Sequence, residues 1–499
     1  MIRFTGRLKG WGGRALVLAV ALGLSIESPG QEKAPTAKPE SVTLTPQVVV
    51  DRVLSLGLER QALDAQLQAA ELPLFQARAP LDFRLMAETN YEVNRGDTMN
   101  VISNNEEDKN FKALLGVSKK FLSGTDVRLN YQRTSISSLL NPFAQSQNFP
   151  STRTLDVFSL EVEQDLLSNA FGRVDRLRQA QAQRSLQRAG EERLESLESL
   201  ILESMERFWH SFVAQENLKE SLESRDRYEK LVATVRNKAR LGFSAPGELA
   251  TAQAEYESQV QRVKVASLNY LEHLDQLLRL LRLDLDVEVS FQIEELLPPL
   301  PELAELEPEE QEALRSVQVA RSQLEEGRLA LDITRSQHRP QLSLITRISQ
   351  TGAEEEPSQA LSKAFEGQRP IYFVGLQFSH PLDSSLRRGE LAAARAQHTL
   401  NELQLETARD QILLQLRQSQ RQVQSLRQVA ESASQAVELW QRALRELEAS
   451  YRQGRTDISE VVRVYNSLLA AQTQRSRAIG DYHIALNSLA AARDQLVNP

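Results

Sequence analysis

The chain has 499 residues, a net charge of −8 and only 6% aromatics. Gln, Leu, Ala, Glu, Arg and Ser dominate it, the composition of long helices with narrow apolar stripes. It has no cysteine, which excludes disulfides, thiolate metal sites, a cysteine nucleophile and a lipid anchor on an N-terminal cysteine, and its acidic balance argues against nucleic acid as a partner.

In chain order, Arg3, Arg7, Lys9 and Arg14 precede the apolar run ALVLAVALGLSI, and polar sequence with prolines follows, ESPGQEKAPTAKPE. This is the pattern of a secretory signal peptide over residues 1–30, with a Pro-containing linker at 31–44. The competing reading, an uncleaved membrane anchor, needs a longer apolar run. No later segment approaches about 20 apolar residues, so no later helix is expected to cross a membrane.

Residues 45–283 read as a first structural unit: a helix, β strands within 81–164, and a long helical hairpin over 171–283. In DFRLMAETNYEV, Phe83, Leu85, Ala87, Thr89, Tyr91 and Val93 alternate with Arg84, Met86, Glu88, Asn90 and Glu92. FSLEVEQ puts Phe158, Leu160 and Val162 on one face. Such segments fit a membrane β-barrel with lipid outside and water inside. A soluble sheet with one face on a core uses the same alternation. Between them, FKALLGVSKKFLSGTDVRLNYQRTSIS (111–137) is also strand-like. The acidic stretch NNEEDK (104–109) reads as a solvated loop.

The run 171–241 contains no proline. As one helix it is a rod of about 100 Å. It stops at Leu-Gly-Phe-Ser-Ala-Pro-Gly (241–247) and a helix resumes at once. Gly242 supplies the left-handed conformation that ends a helix, and Pro246 suits the first turn of the helix that returns. The Pro-rich stretch LLPPLPELAELEPEEQ (296–311) marks a linker, 284–308, expected along the outside of the helices.

Residues 309–496 repeat the order: a helix, strands within 341–380 and a long hairpin over 386–496. QLSLITRIS alternates loosely. YFVGLQFS puts Tyr372, Val374, Leu376 and Phe378 on one face. AEEEP (353–357) reads as a second solvated loop. The run 386–453 again lacks proline. Within it, Leu416, Val423, Ala430, Val437, Leu444 and Tyr451 recur every seven residues, with a companion series Ile412, Ser419, Leu426, Ala433, Trp440 and Leu447. That is an a/d stripe for helix packing, with Trp440 in the seam. The turn comes at Gly454, and Asp457 suits the cap of the returning helix.

The two units are tandem copies. RLGFSAPGELATAQAEY (240–256) lies without gaps on RQGRTDISEVVRVYNSL (452–468), so that Gly242 meets Gly454 and Glu248 meets Glu460. FSLEVEQDLLSN (158–169) lies on VGLQFSHPLDSS (374–385). Two rods of equal length, each turning at a glycine, suggest a gap being spanned.

The stretches YRQGRTDISEVVRVYNSLLAAQTQRSRAIGDYHIALNSL, ARLGFSAPGELATAQAEY and VGLQFSHPLDSSLRRGELAAARAQ give the chain its resemblance to the outer-membrane efflux protein family, the TolC-like channels. The resemblance covers about residues 45–496. It implies a homotrimer in the bacterial outer membrane: a mainly α fold with a shared transmembrane β-barrel, four strands per copy, above a long periplasmic α-helical barrel. It implies a conduit for efflux or type I secretion, working with a periplasmic adaptor (a membrane fusion protein) and an inner-membrane pump, either ABC-type or proton-driven. The tips at Gly242, Phe243 and Gly454 would then be where the channel closes and the adaptor docks. The family carries a tyrosine before the turn and acidic residues after it. Tyr451 matches the tyrosine and Glu460 one acid. Arg463 stands at the next acidic position, and Thr456 at a basic one with Arg455 beside it. Glu460 and Arg463 share a helical face and are expected to pair. Arg455, Asp457 and Glu248 complete the expected gate. The extra segment 111–137 has no place in the four-strand pattern; it either forms a hairpin above the membrane or extends the barrel wall. The alternative to a conduit is a periplasmic coiled-coil adaptor or tether with a soluble β-domain.

No chemistry is legible. The six histidines form no metal spacing, and there is no phosphate loop. No catalytic residue, metal site or cofactor is expected.

Overall fold

The computed structural model describes residues 41–95, 107–140, 145–147, 150–301, 307–367, 370–380, 382 and 385–497. The expected signal peptide, most of the linker after it and residues 104–106 of the acidic stretch lie outside the described residues.

The two segments that read as linkers meet each other. Strand β1 (Ser41–Leu44) runs parallel to β6 (Glu288–Phe291), with Leu44 opposite Phe291. Behind them, Leu44, Val49 and Val53 pack on Phe208, Trp209 and Leu277. Each segment is too short to show a period, so only this shared core reveals it as strand. Helices α1 (Pro46–Leu56), α2 (Leu58–Ala69) and α3 (Leu72–Arg78) follow. Thr45 caps α1 by accepting from the Val48 amide, with Pro46 at the first helical position.

Six strands then form one antiparallel sheet: β2 (Arg84–Asn94), β3 (Glu107–Lys120), β4 (Thr125–Leu139), β5 (Thr152–Asp165), β7 (Gln341–Glu354) and β8 (Ile371–Ser379), in that spatial order. This corrects the expected four strands per copy. The segment 111–137 is the hairpin β3–β4, hydrogen-bonded on both sides within the sheet. The register carries one apolar row across all six strands: Leu85, Val117, Leu129, Leu160, Ile348 and Tyr372. These side chains are largely exposed in the single chain. The opposite face carries Arg128, Glu161 and Arg347 as an ion network, at 2.7 and 2.6 Å.

Of the two acidic loops, residues 107–109 begin β3 and Glu354 ends β7. Helix α8 (Pro357–Glu366) follows the latter. It lies on the apolar side of the sheet at the end far from the long helices. The rings of Phe365 and Phe158 are 4.5 Å apart. Arg133 reaches the Pro357 carbonyl at 3.1 Å and pairs with the fully buried Asp156 at 2.8 Å.

The long rods are present as expected. Helices α4 (Arg173–Arg240) and α9 (Ser385–Arg452) have 68 residues each, about 100 Å at 1.5 Å per residue. They return as α5 (Glu248–Leu280) and α10 (Ile458–Ala491). Two shorter helices, α6 (Pro308–Ala313) and α7 (Arg315–Gln337), precede β7, and α7 packs on both α4 and α9. The a/d stripe holds: Leu416, Val423, Ala430, Val437, Leu444 and Tyr451 are all buried. No helix among the described residues is long and apolar enough to cross a membrane.

Candidate functional site: the helical tips

Each long helix ends as its sequence dictates. Gly242 has φ +77° and Gly454 has φ +74°, so both hairpins turn through the left-handed region that glycine enters without steric cost. The Phe243 amide returns to the Lys238 carbonyl at 2.9 Å, and the Arg455 amide to that of Ser450 at 3.0 Å. These close the last turns. The returns differ. Asp457 caps α10 through the Ser459 amide, 3.1 Å. Pro246 precedes α5 rather than opening it; Gly247 is the cap, and the Glu248 carboxylate takes the Ser244 hydroxyl at 2.7 Å and the Ala245 amide at 3.2 Å.

The tips meet through Tyr451. Its side chain is buried with Tyr228, Val235, Ile458 and Val461, and Trp440 packs on the same cluster. Lys238, from the end of α4, holds it. The Lys238 ammonium sits 3.6 Å from the centre of the Tyr451 ring and donates to the Tyr451 carbonyl at 2.6 Å. The phenol is pushed up to about 12 by burial first and then by the nearby Glu248 and Asp457, so it stays neutral at ordinary pH. Its hydroxyl is buried and finds no partner among the described residues. Beneath it, Tyr228 and Tyr465 meet edge to face at 5.2 Å, and the Tyr465 hydroxyl donates to Glu448 at 2.7 Å.

The expected pair is formed: Arg463 binds Glu460 at 2.6 and 3.0 Å on the exposed face of α10. Arg455 and Asp457 do not join it within one chain; Arg455 is exposed and Asp457 serves as the helix cap. Glu248 is likewise engaged locally, with Ser244 and Ala245 of the turn before its helix. Phe243 is 79% exposed at the α4–α5 tip, beside exposed Leu241, whereas the other tip presents Arg452 and Arg455. Lys238 was not singled out by the sequence. It occupies no periodic position, and its target is a ring and a carbonyl 213 residues away.

Higher in the helical part, Glu195, Glu198 and Asp494 converge, but Arg315 enters the group at 2.5 Å from Glu198 and 3.3 Å from Asp494 and offsets part of its charge. His483 is pushed down to about 4 by burial, stacked 3.8 Å from Trp209. Glu220 is buried against Ser476 at 2.9 Å, and burial pushes it up to about 7.

Comparison with known proteins bears on this arrangement. Residues 308–493 match the family model described as "Outer membrane efflux protein". The second unit therefore carries the signature of that efflux family. A search of curated proteins finds no significant match. Among solved structures, the chain is similar to CusC, whose crystal structures concern folding and transmembrane channel formation: 14% identity, 90% of this chain and 91% of that one, TM-score 0.68. It is similar to the outer membrane protein VceC of Vibrio cholerae, at 14% identity over 90% and 96%, TM-score 0.66. It is similar to the Campylobacter jejuni CmeC outer membrane channel, at 14% identity over 91% and 87%, TM-score 0.67. The fold is that of outer-membrane channels, and the family resemblance read from the sequence is borne out. The matched family is one of efflux proteins rather than enzymes.

Proposed function

We propose that the chain is one copy of a trimeric outer-membrane conduit for efflux or type I secretion. The observation that carries this reading is the apolar row from Leu85 to Tyr372 on a sheet joined to two 68-residue helices. One face of the sheet suits lipid and the other water, and the rods reach about 100 Å away from it. The sheet also has two free edges, β2 and β8, which run in opposite directions. In a ring, β8 of one copy pairs with β2 of the next, and no edge remains. Exposed Val265, Leu268 and Leu271 on α5 and Leu414, Val429 and Leu439 on α9 give neighbouring copies apolar helix faces to bury. A soluble adaptor or tether would have to cover the apolar face of the sheet, and among the described residues only α8 lies on it, at one end.

The tips then lie at the periplasmic end, closed around Tyr451 and Lys238, with Gly242, Phe243 and Gly454 facing a periplasmic adaptor. Arg463 and Glu460 line the same region. The inner-membrane pump, ABC-type or proton-driven, supplies the energy. The test is fractionation followed by electrophoresis with and without heating. A heat-modifiable trimer in outer-membrane fractions supports the reading, and a fully soluble monomer overturns it.

A further inference from the structure

We propose that the hairpin β3–β4 is part of the membrane wall, so that the assembled ring is an 18-stranded barrel, wider than the helical tunnel beneath it. This rests on the three-copy conduit proposed above: three sheets of six strands each. At equal tilt, barrel width grows about linearly with strand number, so the bore is about 1.5-fold that of a ring with four strands per copy.

Four observations place the hairpin in the wall. The first is its patterning. Phe111, Ala113, Leu115 and Val117 on β3 and Val127, Leu129 and Tyr131 on β4 continue the apolar face. Lys112, Gly116 and Ser118, with Arg128, Asn130, Gln132 and Thr134, continue the polar one; Leu114 is an apolar exception there, and Lys119 and Arg133 interrupt the apolar face. A hairpin standing above the membrane needs no such division. The second is length. The strands have 14 and 15 residues, more than the roughly 9–11 that span a bilayer when tilted.

The third is where the turn lies. Residues 121–124 sit at the end of the sheet that meets the long helices, not at the far end. Lys120 pairs with Asp175 in the first turn of α4 at 2.8 Å, and the Asp165 amide donates to the Gly124 carbonyl at 3.2 Å. Gly124 and Gly172 both have φ +74°, and a Cβ on Gly172 would overlap the Leu122 carbonyl. The two backbones are in direct contact, so the hairpin is built into the junction between barrel and tunnel. The fourth is polarity. Adding two strands between β2 and β5 leaves β2 antiparallel to its neighbour and both outer edges unchanged. The insertion is therefore compatible with ring closure, as a single extra strand would not be. On the polar side, Arg128 of β4 binds Glu161 and Glu163 of β5 at 2.7 and 2.8 Å, which fixes the hairpin to the next strand.

The consequence is for cargo. The α-helical part has the same four long segments per copy whatever the strand count, so the barrel opens outward from the tunnel. Size selection then lies in the tunnel and its tips, and the barrel admits bulky solutes from outside.

The chain has no cysteine, so single cysteine reporters are clean. In the full-length trimer in lipid nanodiscs, a fluorophore on Leu129→Cys should be quenched by lipid-phase quenchers. Gln132→Cys should react with a water-soluble maleimide entering from outside. Equal aqueous access at both positions overturns the proposal. Electron cryomicroscopy of the same sample should count 18 strands in the membrane section; 12 strands with residues 111–137 outside would overturn it as well. A sample that forms no ring refutes the conduit reading instead. Maleimides carried on polyethylene glycol should reach Ser159→Cys, on the polar face of β5, in the full-length ring at diameters close to 1.5-fold those that reach it in a ring with residues 107–139 excised. If the excised chain does not assemble, the reporters and strand count on the full chain still decide.

Discussion

Lys238→Met should loosen the closed tips. The side chain keeps its length and loses its charge. The wild-type ammonium makes a cation–π contact at 3.6 Å and a hydrogen bond to a carbonyl at 2.6 Å. A cation–π contact contributes about 0.5–2 kcal/mol depending on desolvation, and a charged hydrogen bond about 1.5–3 kcal/mol. Lys238 is only partly buried, so the lower ends apply, together about 2 kcal/mol. That corresponds to about 30-fold in the opening equilibrium of one tip. Open probability of single channels in planar bilayers is the readout, and Lys238→Arg should retain most of the closed population. Tyr451→Phe is the sharper control. The hydroxyl is buried without a partner, so removing it should leave closure unchanged or strengthen it by about 1 kcal/mol, while Tyr451→Ala should open the channel. Lys238 does not hold the tip if Lys238→Met closes as firmly as wild type, and ring packing does not hold it if Tyr451→Phe opens as readily as Tyr451→Ala. In either case the phenol hydroxyl or the Arg463–Glu460 pair holds the tip.

Leu160→Arg, in the middle of the apolar row, should lower folding stability in lipid by about 2–4 kcal/mol, whereas Ser159→Arg on the other face should cost far less; denaturant titration in liposomes compares them. Glu220→Gln should raise the melting temperature above pH 7. Burial raises the folded-state pKa from 4.5 to about 7, so the group's favourable contribution is complete below pH 4.5 and is lost as pH rises through 7; the variant's melting profile should be flatter over that window. Gly172→Ala should cost about 3 kcal/mol or more through its left-handed backbone and the clash with the Leu122 carbonyl, measured as trimer melting in detergent. Trp440→Asp should place a charge against the Tyr451 cluster and lower trimer stability by several kcal/mol.

What the sequence determined by itself is what local geometry encodes. The rods follow from a seven-residue stripe and the lack of proline. The turns follow from Gly242 and Gly454, which enter the left-handed region at no cost. The two faces of β2, β5 and β8 follow from the two-residue repeat of any strand. The Glu460–Arg463 pair was legible because residues three apart on a helix must be neighbours. Tertiary structure alone decided matters of partnership. Alternation in 111–137 says which side chains share a face, but strands pair through backbone groups common to all residues, so it does not say which strand lies alongside. The same holds for β1 and β6, joined across 247 residues by Thr43 and Ser290. Lys238 meets Tyr451 because two helix ends arrive together, and a lysine bound to a ring and a carbonyl leaves no complementary charge in the sequence to betray it.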